Sequence, residues 1–242
     1  MTISSHHNQK LKEIRKLRMR RRARERAGRF VAEGEDLLAA ADAAGWVARE
    51  RYCAAGSGLP GVEIEPTLLA SASGLGSGTR ALGVYEERWA RQAVGPLCLC
   101  LYGVHDPGNV GASLRSAHAF GASCVALGPG SADPFGPKAV RASMGAVFAV
   151  PVARVEDLDG LPGTTIALVP GPGPGAGTAL RDVCAGACGD VTLIVGGERE
   201  GLPDRLITQA DLIAHIPIQS HSLNAAMAAT VALYEATRMA RA

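Results

Sequence analysis

The chain has 242 residues, enough for one large domain or two modest ones. Hydrophobic residues make up 47% and charged residues 20%, which is ordinary for a globular protein. No apolar run approaches the roughly 18–20 residues that span a bilayer. The net charge of +2 is unevenly spread, because residues 1–30 hold 11 Lys/Arg and 2 Glu (+9) and the remainder holds 14 Lys/Arg and 21 Asp/Glu (−7). Such asymmetry is typical of a protein that contacts a polyanion at one end.

The cysteines and the first residues bear on metal binding and on location. The six cysteines include no C-x-x-C pair, and no His stands at zinc-finger spacing, so we expect buried, reduced thiols and no metal site. The N-terminal segment turns strongly basic without the apolar core of a secretory signal. We therefore expect a soluble, cytoplasmic protein.

The first ninety residues predict a small α/β domain. Residues 8–27 lack Gly and Pro, and Leu11, Ile14 and Leu17 follow helical spacing, so we expect one helix whose other faces carry arginines. Short strands at 29–34, 46–53, 61–66 and 80–87 accompany a helix at 35–45 that Gly45 closes. We place this domain at 1–90, a linker at 91–96 and a second domain at 97–242.

The second domain alternates apolar runs with helical stretches. Strand-like runs occupy 96–104, 123–128, 146–153, 165–170, 191–197 and 211–218, and helices are expected at 109–121 and 136–145. Continuous apolar strands separated by helices indicate an α/β fold with a mostly parallel sheet covered on both faces. The Pro/Gly run at 170–177 predicts a loop. A last helix at about 222–241 carries one apolar stripe, formed by Leu223, Met227, Val231 and Tyr234.

Three motifs follow apolar strands and combine glycines with polar residues. HDPGNVGASLRS contains Asn109 and Arg115, VGGEREGLP contains Glu198, and IPIQSHSLN contains Ser222 and Asn224. Taken singly, each motif also fits an ordinary turn, with Ser222 as a helix N-cap. Together they should meet at the carboxyl edge of the sheet, where ligands bind in open α/β folds.

The order of these motifs resembles the SpoU/TrmH family of SPOUT-class RNA methyltransferases, over the whole of 96–242. The stretch KLKEIRKLRMRRRARERAGRFVAEGEDLL, residues 10–38, also resembles the substrate-binding domain that often precedes it in rRNA-modifying members. The resemblance implies a C-terminal domain with a deep trefoil knot, S-adenosyl-L-methionine (SAM) as cofactor and no metal. It further implies a homodimer with the active site at the subunit interface, to which the apolar stripe of the last helix would contribute.

The resemblance also implies roles for single residues. Arg115 would hold the target phosphate and polarise a ribose 2′-hydroxyl, since an arginine is too basic to act as a simple general base. The residues expected to order it and the nucleotide are Asn109, Glu198, Ser222 and Asn224. The residues expected to contact SAM are Leu168, Val169, Gly196, Gly197, Ile216, Ile218 and Leu223. The basic residues expected to bind RNA are Lys10, Arg15, Arg18, Arg20, Arg21, Arg22 and Arg24.

The implied function is SAM-dependent methylation of a ribose 2′-hydroxyl in structured RNA, with rRNA favoured over tRNA. A non-catalytic RNA-binding or ribosome-assembly protein is the alternative, and it predicts loss of Asn109, Arg115 or the Ser-Leu-Asn of motif three, all of which are present. A dehydrogenase would need G-x-G-x-x-G at the first βα turn, which here is DPGNVG. The chain departs from the family pattern in a short 216–222 loop, in Arg199 and in the 170–177 run.

Overall fold

The computed structural model describes residues 2–74, 78–171, 177–186, 189–219 and 222–239. Two compact units are present: Met1–Glu87 with Asp133–Ala149, and Arg88–Ala132 with Val150–Ala242. The sequence predicted two continuous domains, at 1–90 and 97–242. The first unit is instead discontinuous, because a segment between two strands of the second unit packs with it.

The helices and strands follow one another in an α/β pattern. The helices are α1 Gln9–Met19, α2 Arg21–Ala27, α3 Glu35–Ala43, α4 Pro66–Ala72, α5 Pro107–Ala119, α6 Pro137–Ala142, α7 Ala146–Ala149, α8 Leu180–Gly186, α9 Asp204–Gln209 and α10 Ala225–Met239. The strands are β1 Arg29–Glu33, β2 Glu50–Ala54, β3 Val62–Ile64, β4 Ala81–Glu86, β5 Leu97–Tyr102, β6 Cys124–Leu127, β7 Val152–Arg154, β8 Thr164–Val169, β9 Thr178–Ala179, β10 Val191–Gly196 and β11 Leu212–His215.

The sheet of the first unit has the order β1-β4-β2-β3, in which β4 runs antiparallel to both neighbours. Leu11, Ile14 and Leu17 are buried in one cluster with residues of this sheet and of α4, so the helical stripe predicted for them is confirmed. The strands predicted in this unit are present in shortened form, and α4 was not predicted.

The basic stretch at 8–27 forms two helices and not the single one predicted. Arg20 has an extended backbone (φ −127°, ψ 111°), which ends α1 and allows α2 to start in another direction. The buried side chain of Arg24 compensates for the break, because its Nη1 donates to the carbonyl of Leu17 at 2.7 Å and to that of Arg18 at 3.3 Å. Helix-terminal carbonyls need such partners when their own helix stops.

The segment 133–149 joins the first unit through aromatic side chains. Phe135 and Phe148 lie 4.9 and 5.8 Å from the ring of Phe30 on β1, measured between centroids. Trp46 packs edge-on against Phe148 and donates its indole N–H to the Phe148 carbonyl at 2.8 Å. The run at 146–153, predicted as one strand, therefore begins as helix α7 in this cluster, and only Val152–Arg154 forms a strand.

A buried carboxylate, Glu33 at the end of β1, anchors cations from two other elements. Its side chain is 1% exposed and lies 2.5 Å from Nε of Arg18 and 3.7 Å from Nη1 of Arg141. The backbone N–H of Gly74 also donates to it, at 3.0 Å. Arg18 and Arg141 belong to α1 and α6, so this cluster connects the basic helix to the 133–149 segment.

The second unit contains one seven-stranded sheet, with the order β7-β6-β5-β10-β8-β11-β9. Every pairing in it is parallel. The predicted parallel sheet is thus confirmed, and the carboxyl ends of β5, β8, β10 and β11 share one edge, each followed by one of the polar or glycine-rich segments. The trefoil knot stays a prediction.

The structure describes five of the six cysteines. The free cysteines among them are all buried: Cys53, Cys98, Cys100, Cys124 and Cys184. Burial raises the pKa of Cys100 to about 12, so its thiol stays protonated at neutral pH. Cys188 lies outside the described residues.

Within the residues that the structure describes, no group of three or more His, Cys, Asp or Glu side chains could hold a metal ion. None of the helices described there has the length and hydropathy required to cross a membrane.

The buried cluster around Glu33 predicts a large effect on stability. Glu33→Gln should lower the free energy of unfolding by about 3–5 kcal/mol, because it leaves two guanidinium groups without their counter-charge in a buried site. Urea denaturation followed by circular dichroism measures the change.

Glu86→Gln is the matched control. Glu86 lies on the adjacent strand β4 and pairs with Arg49 at 2.6 Å, but the side chains of Glu86 and Arg49 are 55% and 62% exposed. The loss there should stay below about 1 kcal/mol. Equal effects of the two substitutions would contradict the role given to Glu33.

Candidate active site

The first motif places Asn109 in the first turn of α5, directly after strand β5. The Asp106 carboxylate caps this helix by accepting from the N–H groups of Gly108, at 2.6 Å, and of Asn109, at 3.2 Å. Pro107 occupies the first helical position, where no N–H is needed. The strand-to-helix turn therefore fixes where the Asn109 side chain leaves the backbone.

Residues from all three motifs meet in one chain of hydrogen bonds. The side-chain carbonyl of Asn224 accepts from the N–H groups of Ala226 and Met227, at 3.0 and 3.3 Å, so Asn224 caps α10. The side-chain amide nitrogen of Asn224 donates to the side-chain oxygen of Asn109 at 3.0 Å, and the side-chain amide nitrogen of Asn109 donates to the Glu198 carboxylate. Asn224, and not Ser222 as the sequence suggested, is thus the N-cap.

The direction of this chain follows from its ends. Backbone N–H groups can only donate and a carboxylate can only accept, so the orientation of both amides between them is determined. Each amide nitrogen keeps a second hydrogen that is available for another acceptor. The arrangement therefore holds polar groups of known direction beside the carboxyl edge of the sheet.

A first cavity, of about 450 Å³, opens next to this chain. That volume lies in the range of small-molecule sites, roughly 300–1,000 Å³. All the residues predicted to contact a cofactor line it, namely Leu168, Val169, Gly196, Gly197, Ile216, Ile218 and Leu223. Sequence reasoning missed several further lining residues, among them Leu202, Ala225 and Ala228. The last two lie three positions apart on α10, a spacing that would have placed them on one helix face.

Glycines shape one wall of the first cavity. A Cβ on Gly196 would overlap the backbone of Gly201, and a Cβ on Gly197 would overlap the carbonyl of Gly103. Backbone segments therefore approach each other here more closely than side chains would allow. The wall presents backbone groups and apolar side chains, which suits the flat, uncharged ring of an adenosine.

A second cavity, of about 1050 Å³, lies on the other side of the loop 197–201. Glu198 and Arg199 line both cavities, whereas Asn109 and Asn224 line only the second. The hydrogen-bonded chain therefore stands where the two cavities adjoin. Two different molecules could meet at this point.

The remaining predicted site residues behave differently. Ser222 lines the first cavity, and His221 lies outside the described residues. Arg115 is exposed on α5 and lines neither of the two cavities. Within the second unit as described, the structure brings Asn109, Glu198 and Asn224 together but does not bring Arg115 to them.

Two of the four residues of the apolar stripe predicted on the last helix are exposed, and the other two, Leu223 and Val231, are half-buried. Met227 is 62% and Tyr234 50% exposed, while the face of α10 that enters the core consists of Ala225, Ala226, Ala229, Ala232 and Leu233. The Tyr234 ring contacts Phe120 at the end of α5, with 6.2 Å between centroids. An uncovered apolar surface therefore extends along α10.

The basic residues predicted to bind RNA divide into two groups. Arg18 and Arg24 pair with Glu33 and Asp133, at 2.5 and 2.6 Å, and Arg24 is buried, so both cations already have a counter-charge within the protein; their contact with RNA stays a prediction. Lys10 pairs with Glu50, and Arg15 donates to the Ser71 hydroxyl. Arg20, Arg21 and Arg22 line an open groove between α1 and α2. Lys12, Lys16 and Arg26, which the sequence did not single out, line the same groove.

Comparison with known proteins connects this geometry to a family. The model of the SpoU rRNA Methylase family matches residues 96–234, and the MRM3-like substrate binding domain matches residues 8–78. The chain is 29% identical to the 23S rRNA (guanosine(2553)-2'-O)-methyltransferase RlmP of Bacillus subtilis (strain 168), over 96% of this chain and 97% of that protein. Two other curated relatives are matched over about half of their own length.

Solved structures agree over nearly the whole chain. An AdoMet-bound rRNA methyltransferase from Sinorhizobium meliloti superposes with a TM-score of 0.85 at 29% identity, covering 98% of this chain and 97% of that one. The SpoU methyltransferase AviRb from Streptomyces viridochromogenes, in complex with AdoMet, gives 0.82 at 25% identity, covering 98% and 99%. Since the family model spans more than half of the residues and includes all three motifs, the chain belongs to the SpoU rRNA methylase family.

Proposed function

We propose that this protein transfers a methyl group from SAM to a ribose 2′-hydroxyl of rRNA. The observation that carries the proposal is the chain from Asn224 through Asn109 to Glu198, which stands between two adjoining cavities. The proteins named above are a 23S rRNA 2′-O-methyltransferase, an rRNA methyltransferase and a SpoU methyltransferase, and the structures of the last two hold AdoMet. The favoured substrate is rRNA because the SpoU rRNA Methylase match and two of these relatives name it.

The first cavity would hold SAM. Leu168, Ile216 and Leu223 offer apolar contact, and the glycine wall at 196–197 offers backbone groups to the adenosine. When bound, SAM supplies a methyl group activated by its sulfonium. The protein's own residues therefore need to position the ribose 2′-hydroxyl and help it lose its proton. No metal is required for this role.

The chain of amides would position the ribose. The second hydrogen on Asn109 Nδ2 can donate to a ribose oxygen, and Glu198 keeps that amide in the donating orientation. The cap made by Asn224 ties both to the start of α10. Arg115 would hold the phosphate next to the target and polarise the 2′-hydroxyl, as a cation does without accepting a proton. As the 2′-oxygen takes the methyl group, S-adenosylhomocysteine would leave and the hydroxyl proton would pass to water.

A homodimer would bring Arg115 to a site. Arg115 lines neither cavity of its own chain, and Met227 and Tyr234 leave an apolar stripe uncovered on α10, which packs against α5. Burial of exposed apolar side chains between two copies is the usual driving force for such a contact. We infer that the α5–α10 face pairs with a second copy and that Arg115 acts in the partner's site.

The groove between α1 and α2, of about 930 Å³, would contact the RNA backbone. We call it the basic groove; its cations are Lys12, Lys16, Arg20, Arg21, Arg22 and Arg26. Arg21 pairs with Glu25, whereas the other five have no ion pair with the part of the chain that the structure describes. The groove lining contains no aromatic ring, so phosphate contact is favoured over base stacking.

The first prediction from the proposed function separates cofactor binding from methyl transfer. Calorimetry should show SAM binding to the wild-type protein, with S-adenosylhomocysteine as competitor. Asn109→Ala should keep this affinity, because Asn109 lines only the second cavity, and should lose at least about 100-fold in methyl transfer through misplacement of the acceptor.

Asn8→Ala serves as the control for that experiment, since Asn8 caps α1 in the other unit. It should leave both SAM binding and the rate of transfer unchanged. No detectable SAM binding by the wild-type protein would sink the proposed function, and full activity of Asn109→Ala would contradict the role of the amide chain.

The second prediction concerns the homodimer. Met227→Glu combined with Tyr234→Glu should give a monomer by light scattering, because two charges would be buried at the interface. Arg115→Ala and Asn109→Ala should each be inactive alone. When the two variants are mixed one to one, half of the dimers should contain one copy of each. One of the two sites in such a dimer is intact, so about a quarter of the wild-type activity should return.

The mixing experiment distinguishes an Arg115 that acts in the partner's site from one that acts in its own. If Arg115 acted within its own chain, every site in the mixed dimer would carry one defect and no activity would return. Wild-type protein mixed with Asn109→Ala provides the reference for subunit exchange. Persistence of the dimer in the double Glu variant would contradict the assignment of the α10 stripe.

The third prediction concerns the basic groove. The triple variant Lys12→Ala, Lys16→Ala and Arg22→Ala should bind a double-helical RNA less tightly, with the slope of log affinity against log salt reduced by about 2–3 through fewer displaced counterions. Fluorescence anisotropy at several salt concentrations measures this slope. Unchanged slopes would refute the groove as an RNA contact.

A control variant combines Arg49→Ala with Arg80→Ala. Both arginines are more than half exposed in the same unit but pair with Glu86 and Glu35 and do not line the groove. Their loss should leave the salt slope near the wild-type value. Both proteins should give the wild-type circular dichroism spectrum.

A further inference from the structure

The second cavity extends well past the amide chain, to a floor made of backbone. Gly103 and Gly130 both have positive φ, 67° and 79°, and the N–H of Gly103 donates to the Pro129 carbonyl at 3.0 Å. A Cβ on Gly130 would lie 3.3 Å from the Gly103 Cα, so the two segments are in direct contact. The floor therefore carries no side chains at these positions and is open to a flat group.

An imidazole stands beside this floor. His105 is exposed, and its Nε2 lies 3.6 Å from the position of a Cβ on Gly130, so the ring packs close to the backbone of that loop. His105 follows β5 and precedes the cap of α5, which ties its position to that of Asn109 four residues later. An imidazole offers both a donor and an acceptor when neutral.

The charge of the second cavity disfavours phosphate. Three carboxylates, those of Asp106, Glu198 and Glu200, line it together with one guanidinium, that of Arg199. Apart from His105, the ionisable side chains of the lining therefore carry two more negative than positive charges. Phosphate groups belong in positively charged surroundings, whereas a neutral base with N–H donors suits carboxylate and imidazole acceptors.

We propose that the second cavity receives the nucleobase of the nucleotide that is methylated, with its plane near the Gly103–Gly130 floor and its edge at His105. This proposal rests on the proposed function, because it takes the ribose to lie at Asn109, between the base and the first cavity. Enzymes that modify a base turn it out of its stack, and sequence-specific recognition of RNA reads the edges of unstacked bases by hydrogen bonds. His105 is thus a specificity-determining residue.

The test compares His105→Ala with the wild-type protein on transcribed, unmodified 23S rRNA and SAM carrying a tritiated methyl group. His105→Ala should lower kcat/KM for the RNA by about 10-fold, the value of one lost hydrogen bond to the base. The Kd for SAM should stay within about 2-fold of the wild-type value, because His105 does not line the first cavity. His105→Gln, which keeps a donor and an acceptor, should recover part of the loss.

His7→Ala is the matched control, since His7 is an exposed imidazole in the other unit and lines neither cavity. It should methylate as the wild-type protein does. A wild-type kcat/KM for His105→Ala would overturn the inference, as would a shift of His105→Ala to monomer in light scattering, because the cavity would then be part of a subunit contact. A wild-type protein that binds no SAM would instead overturn the proposed function.

Discussion

The hydrogen bonds from α10 through Asn224 and Asn109 to Glu198 are the interaction on which the site depends. They join elements that are more than a hundred residues apart in places, since Asn109 and Asn224 are separated by 115 positions. Their direction is determined at one end by backbone N–H groups of α10 and at the other by a carboxylate. The position of α10, and with it the wall of the first cavity, is therefore coupled to the loop that holds Glu198. Of the three residues, Glu198 lines both cavities, whereas Asn109 and Asn224 line only the second.

Electrostatics divides the arginines of the N-terminal helices by function. Arg18 and Arg24 neutralise the carboxylates of Glu33, which is buried, and of Asp133, and hold the first unit together. Arg20 and Arg22 point to the open groove instead, where RNA phosphates would provide the counter-charge. The break at Arg20 serves both purposes, because it turns α2 so that Arg24 can reach the carbonyls of α1 while its neighbours remain accessible. One strongly basic stretch thus supports a fold and forms a surface.

The segment 133–149 shows how the few aromatic residues are used. Phe30, Trp46, Tyr85, Phe135 and Phe148 form one cluster in the first unit, although aromatic residues make up only 4% of the chain. Aromatic side chains bury large areas and hold their neighbours in defined geometry. The connection between β6 and β7 is thereby integrated into a unit to which its position in the sequence does not assign it.

Features that depend on local pattern were readable from the sequence. The buried face of α1, the alternation that produces the parallel sheet and the placement of three motifs at its carboxyl edge follow from hydrophobic periodicity and from strand direction, which act over neighbouring residues. The cofactor contacts came with the family resemblance and fall in one cavity. The amide chain, the ion pairs of Arg18 and Arg24, the exposure of Met227 and Tyr234 on α10 and the place of residues 133–149 depend on partners far away in the sequence. A sequence pattern states that an arginine is charged, but whether it meets Glu33 or solvent is determined by which elements the fold brings next to it.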